Sequence, residues 1–183
     1  MTPEIRNMRR SDRSRDEDWI RRSLRDAPFG VLTMVTEAGP YPHPTLFAFD
    51  EDGDALYFHT ARTGATRSSI EEDDKVAFCV SRMGRLLPAD EALEFSVEYS
   101  SVVVYGRGVV VSEAEEAERG LELIMEKYAP HLEPGKDYRA VQPEEVKRTA
   151  VYRLDIEAWS GKEKAEAPEF AGAYHFEDVA GLP

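Results

Sequence analysis

Apolar residues recur along this chain with two periods, and the shorter one dominates. Runs at Phe29–Thr36, Thr45–Phe49, Leu56–His59, Lys75–Ser81, Val97–Val111 and Thr149–Ala158 are rich in β-branched and aromatic residues and predict strands. "EAGP" after Thr36 and "DEDGD" at Asp50–Asp54 are turn signals, the second closing a hairpin. Helical spacing appears twice. Trp19, Ile20 and Leu24 behind an acidic first turn predict a helix over Asp16–Ala27. Ala114, Ala117, Leu121, Ile124, Met125 and Tyr128 predict a longer one, with Ser112 and Glu115 as its capping box. Arg82–Phe95 reads as an irregular connection, and Ala129–Arg148 as a loop with one helical turn. Gly106 and Gly108 weaken the longest apolar run unless they bend it, which predicts a barrel corner. Short strands with few, peripheral helices predict a mainly β, antiparallel barrel.

Composition narrows the function more than the fold. The 183 residues suffice for one domain with a sizeable core, and the net charge of −13 argues against a nucleic-acid or anionic-membrane partner. Eight Arg against five acids in residues 1–25 leave the remainder more acidic still, so a site for an anion must be built locally. The single cysteine, Cys79, excludes an intramolecular disulfide and makes a reduced, cytoplasmic setting the expectation. Residues 1–15 are polar and Arg-rich and are expected to be flexible, and no apolar run reaches membrane-spanning length.

One stretch is built for an anion. In "LYFHTARTGATRSSI" (Leu56–Ile70) no apolar residue larger than alanine follows His59 until Ile70. A short helix over Gly64–Glu72, capped by Thr63, would present its first amides together with the hydroxyls of Thr60 and Thr66, and Arg62 or Arg67 could add charge. The alternative is a polar surface turn whose arginines pair with Glu71, Glu72 or Asp73. His59 would stand at the lip of that turn, either structural or there to hydrogen-bond a ligand, transfer a proton or form a covalent attachment. His43, between two prolines, is expected to be exposed, and the four histidines and one cysteine show no metal-ligand spacing. "SGK" after Trp159 places an indole, a hydroxyl and an ammonium at the end of the last strand.

Taken together, "LYFHTARTGATRSSI", "RMGRLLPADEALEFSVEYSSVVVYGRG" and "VKRTAVYRLDIEAWSGKE" resemble, in that order, the pyridoxamine-5′-phosphate-oxidase-like flavin-binding split-barrel proteins, above all the Nim-type nitroimidazole-resistance reductases. The resemblance implies a domain at 16–164 with a tail at 165–183, folded as a six-stranded antiparallel split barrel with peripheral helices. It implies a homodimer binding FMN at the subunit interface, and an electron-poor small molecule as substrate. Carried over by position, Phe58, Thr60, Ala61, Arg62, Thr63, Gly64 and Arg67 would hold the phosphate and ribityl groups, and Pro44, Thr45 and Leu46 would pass beneath the ring. Trp159 and Lys162 would come from the partner subunit, and His59 would lie against the cofactor with a direct part in the chemistry. The parent oxidase carries an Arg-Lys pair where this chain has Ala65-Thr66, which argues against oxidase activity. Relatives of the barrel also bind deazaflavin F420 or haem, so those remain alternative cofactors, and a binder without turnover is the alternative function.

Overall fold

The computed structural model describes residues 8–181. Its strands are β1 (Ser14–Arg15), β2 (Gly30–Thr36), β3 (Gly39–Thr45), β4 (Ala48–Asp50), β5 (Ala55–Ala61), β6 (Lys75–Leu87), β7 (Ser96–Val110) and β8 (Thr149–Lys164). Four helices lie around them: α1 (Glu17–Asp26), α2 (Ala65–Glu72), α3 (Ala114–Tyr128) and α4 (Pro143–Arg148). The strands form one antiparallel sheet in the order β3-β2-β6-β7-β8-β5-β4, with β1 pairing the far end of β8. The expectation of six strands therefore needs correction to eight. Six are long, and the two additions, β1 and β4, are only two and three residues.

The sheet curls around Leu32, Met34, Phe47, Leu56, Phe58, Phe78, Val102, Val104, Tyr152 and Leu154, all fully buried. Each such side chain contributes about 1.5–3 kcal/mol by leaving water. Gly106 makes the predicted corner. The register shifts by one residue between Tyr105 and Gly106, and a Cβ at Gly106 would lie 2.0 Å from the Asp155 carbonyl oxygen. Gly108 has a different task, because it lets Ile70 of α2 seat on β7. A second, smaller cluster of Ala55, Tyr57, Ala117 and Val151 lies under α3 on the other face of the sheet.

Several local expectations change. Gly39–Thr45 is a strand, although Pro40, Pro42 and Pro44 interrupt it. It is an edge strand, and proline is tolerated there at alternate positions whose missing N–H would face away from β2. The strand expected at Thr45–Phe49 is consequently split, with Leu46 and Phe47 crossing from β3 to β4. β6 runs on to Leu87 through a register shift after Met83, so half of the expected irregular connection is ladder. β8 continues past Ala158 to Lys164 because β7 and β1 pair with it. Of the segment expected to be flexible, residues 1–7 lie outside the described residues, whereas Ser14–Arg15 already pair with Gly161 and Lys162. The cap of α3 is Glu113 without a side-chain bond, rather than the Ser112–Glu115 box. A capping box does form at Gln142 and Glu145, opening the helical turn foreseen in that loop.

Candidate functional site

The composition change after His59 has a structural cause. Both faces of β5 are covered as far as Phe58: Leu56 and Phe58 face the main core, and Ala55 and Tyr57 face α3. Phe58 stacks on Tyr152 with ring centres 5.2 Å apart. Beyond Phe58 the cover ends, so hydroxyls and charges replace apolar side chains. His59 follows the parity of Tyr57 and is exposed, while Thr60 follows Phe58. The two therefore point to opposite faces. Thr60 Oγ1 lies 3.0 Å from the Tyr152 hydroxyl and 2.8 Å from the Ala61 carbonyl oxygen. Although His59 is exposed, the neighbouring protein desolvates the ring enough to push its pKa below the ordinary imidazole value.

The turn then enters α2 through Gly64, not through Thr63 as expected. Gly64 has φ 145°, and no side chain of Thr63 caps the helix. Such a φ favours glycine, and the space beside Gly64 is open, with no atom within 4 Å of where a Cβ would stand. The first amides of α2 have no intrahelical partner by helix geometry. The hydroxyls of Ser68 and Ser69 instead return to carbonyls of their own helix. Arg67 Nε donates to Glu71 Oε1 at 2.8 Å, the surface pairing that was the alternative to a phosphate contact, and Arg62 donates to the Lys147 carbonyl. Both arginines line a groove of about 560 Å³ that runs between α3, α4 and the start of β8. An exposed turn with open backbone, unpaired amides and two arginines fits a phosphate group.

β3 meets this turn from the other side. Pro44 is exposed, Thr45 Oγ1 donates to the Leu46 carbonyl at 3.1 Å, and Leu46 is half exposed. Phe47 is then locked: the Tyr128 hydroxyl lies 3.2 Å from both its amide and its carbonyl. Sequence reasoning missed His43. Its Nδ1 lies 2.7 Å from Oγ1 of Thr66, which is buried in the first turn of α2. The available signal was the spacing of Pro40, Pro42 and Pro44, which puts His43 on the opposite face of an edge strand from the prolines.

Trp159 and Lys162 do not join the cluster within one chain. Val151 pairs with His59, and Trp159 lies eight residues further along β8, about 25 Å away at strand rise. Trp159 packs edge-on to Phe49 at 6.3 Å with Arg21 5.0 Å over its ring, and Lys162 Nζ sits 5.1 Å over Tyr99. No group of three or more potential metal ligands occurs among the described residues, and no helix there is long and apolar enough to cross a membrane.

Known proteins place the fold. The flavocytochrome Anf3 of Azotobacter vinelandii is 23% identical over 99% of this chain and 81% of its own, with a TM-score of 0.77. A FAD and heme binding protein from Mycobacterium smegmatis is 22% identical over 92% and 78%, with a TM-score of 0.70. A candidate 5-nitroimidazole antibiotic resistance protein from Bacteroides thetaiotaomicron is 20% identical over 81% and 84%, with a TM-score of 0.67. No curated protein matches the chain in sequence. The family model described as pyridoxamine 5′-phosphate oxidase matches residues 16–163, so the chain belongs to that family.

Proposed function

We propose that the protein is an FMN-dependent reductase of a small electron-poor compound, such as a nitro-heterocycle, and that it works as a homodimer. The observation that carries this reading is the turn from Thr60 to Arg67, open at Gly64 and followed by the unpaired first amides of α2, in a chain of this family. Bound flavin supplies hydride or single electrons. Arg67 exchanges its contact with Glu71 for the phosphate, and Arg62 lies within the same turn. The backbone of Pro44–Leu46 orients the ring edge. His59 contacts the substrate and, when protonated, donates a proton to it, and burial lowers the pH at which it takes up that proton.

Trp159 and Lys162 reach the site from a second copy, since their own strand carries them away from it. Exposed Phe29, Val35, Leu46 and Met83 leave apolar surface that a second copy would cover. A second reading, a flavin- or haem-binding protein without turnover, draws support from the flavocytochrome and the FAD and heme binding protein among the similar structures.

The absorbance spectrum and released cofactor of the purified protein separate these readings. Anaerobic bleaching of the flavin bands by NADH or NADPH, then their return on adding a nitroimidazole, is the expected result. A haem spectrum, or flavin that stays reduced with the nitro compound, overturns the reductase reading. Light scattering at micromolar concentration should give twice the chain mass of 20.7 kDa, and a stable monomer overturns the dimer.

A further inference from the structure

We infer that His43 is a positioning residue of the cofactor site, a clamp tying the strand expected beneath the flavin ring to the helix expected at its phosphate. The inference rests on the flavin reading above. β3 and α2 belong to different parts of the chain, and 23 residues separate His43 from Thr66. Their side chains nevertheless meet at 2.7 Å, with Thr66 only 4% exposed. That distance is short for a neutral side-chain pair and leaves the threonine hydroxyl no freedom to turn to solvent. His43 immediately precedes Pro44–Leu46, and Thr66 stands in the first turn of α2 beside Gly64 and Arg67. A ligand that spans ring site and phosphate site needs these two segments at a fixed separation.

No other side-chain contact between β3 and α2 occurs among the described hydrogen bonds. Tyr41, on the same face of β3, leans on the imidazole with ring centres 6.4 Å apart and limits its rotation. With Nδ1 occupied by Thr66, Nε2 has no protein partner among the described residues and is left to face the site or water.

The test uses three variants of the full chain and two ligands, with affinities read from flavin fluorescence. His43→Leu and Thr66→Val each remove one side of the contact and keep an apolar shape. His43→Asn places an amide near the position of Nδ1 and keeps the bond. FMN spans both segments, whereas riboflavin lacks the phosphate. We expect His43→Leu and Thr66→Val each to weaken FMN by about tenfold. The double variant should be no weaker than either single one, because both remove the same contact. His43→Asn should bind FMN like the unaltered protein, and riboflavin should change less than twofold throughout.

Equal weakening of FMN and riboflavin, additive losses in the double variant, or unchanged FMN binding in all of them overturns the clamp and leaves the flavin reading standing. Failure of the unaltered protein to bind either ligand overturns the flavin reading and the clamp with it. Far-UV circular dichroism and the thermal midpoint of each variant identify one that has simply unfolded. In that event the clamp is judged on the milder Thr66→Ala, which must weaken FMN but not riboflavin, against Thr66→Ser, which must retain both.

Discussion

Two arginines in this molecule have opposite surroundings. Arg85, where β6 passes its register shift, makes two bonds to Glu98 at 2.8 and 2.9 Å and three to the carbonyls of Glu166, Ala167 and Pro168. Its partner Glu98 also accepts from the Glu166 amide, and Arg85 holds its carboxyl down to about 2. Arg67 has, among the described residues, one bond to one exposed carboxylate on its own helix. A saturated guanidinium holds the chain together, here by fastening the tail on which Tyr174 bridges Leu86. A guanidinium with one weak, replaceable partner beside unpaired amides is available for a ligand.

The largest effect should come from the open end. His59→Ala should lower turnover per bound flavin by about 10²- to 10⁴-fold while fold and cofactor content survive. Because desolvation keeps the imidazole neutral at pH 7, the His59-dependent rate should rise as pH drops below the ordinary imidazole range, and the variant should lose that rise. Near-normal turnover per flavin removes His59 from the mechanism.

Arg67→Ala comes next. It gives up a surface i,i+4 pair worth about 0.3–0.5 kcal/mol, so stability should hardly move. The charge-assisted bond to phosphate is worth more, and FMN should bind about ten- to a hundredfold more weakly, with riboflavin unaffected. Titration of both ligands by fluorescence decides, and parallel losses would mean that Arg67 acts through folding.

Arg85→Ala should do the reverse. FMN affinity should be retained, while residues 165–181 become the first site of limited proteolysis and the thermal midpoint falls. The sign with pH follows from Glu98. Its folded pKa is depressed from 4.5 to about 2, so its contribution is complete above the unfolded value and fades as pH falls through the folded one. Protection of the tail should therefore persist at pH 4 in the unaltered protein. If Arg85→Ala leaves the tail as protected as before, the contrast between the two arginines is mistaken.

Much of this contrast was visible in the residues alone. The change of composition at His59 marked where both covers of β5 end, and the loss of large apolar side chains between His59 and Ile70 announced an open turn. α3 and the strands with strong periods appeared because local propensity and burial agree there. Pro40, Pro42 and Pro44 concealed β3, since proline normally breaks a strand and only tertiary position makes it an edge. The lengths of β6 and β8 were hidden for a related reason. Arg82, Ser160 and Lys162 look like loop residues but are held by ladder pairing with β7. The opposite facing of His59 and Thr60 also escaped, because burial on both faces of β5 erases the alternation that would reveal parity.

The smallest predicted effect belongs to a cation between these extremes. Among the described residues Lys127 has a single hydrogen bond, to the Leu24 carbonyl at 3.3 Å, yet it is half-buried, with its ammonium 3.6 Å from the centre of the Phe47 ring. Burial pushes its pKa from 10.5 to about 8, against a small opposing pull from Asp26. Above pH 10.5 the amine is neutral in folded and unfolded chains and nothing is lost. Between 10.5 and 8 the unfolded chain gains the proton first and stability falls, and below 8 the penalty is constant. Lys127→Met keeps the stem in place and removes the charge, but gives up the bond to Leu24 and the contact with the ring face. The fall from 10.5 to about 8 corresponds to about 3 kcal/mol before solvent relief, and that relief together with the lost contacts offsets most of the penalty, leaving a net gain of about 1 kcal/mol at pH 7. That gain should shrink through pH 9 and reverse near pH 11, where the neutral amine still donates to Leu24. Urea unfolding of both proteins across this range measures it. A difference that stays constant with pH would show that Lys127 is as free as Arg67, and that enclosure by Phe47 leaves its titration unchanged.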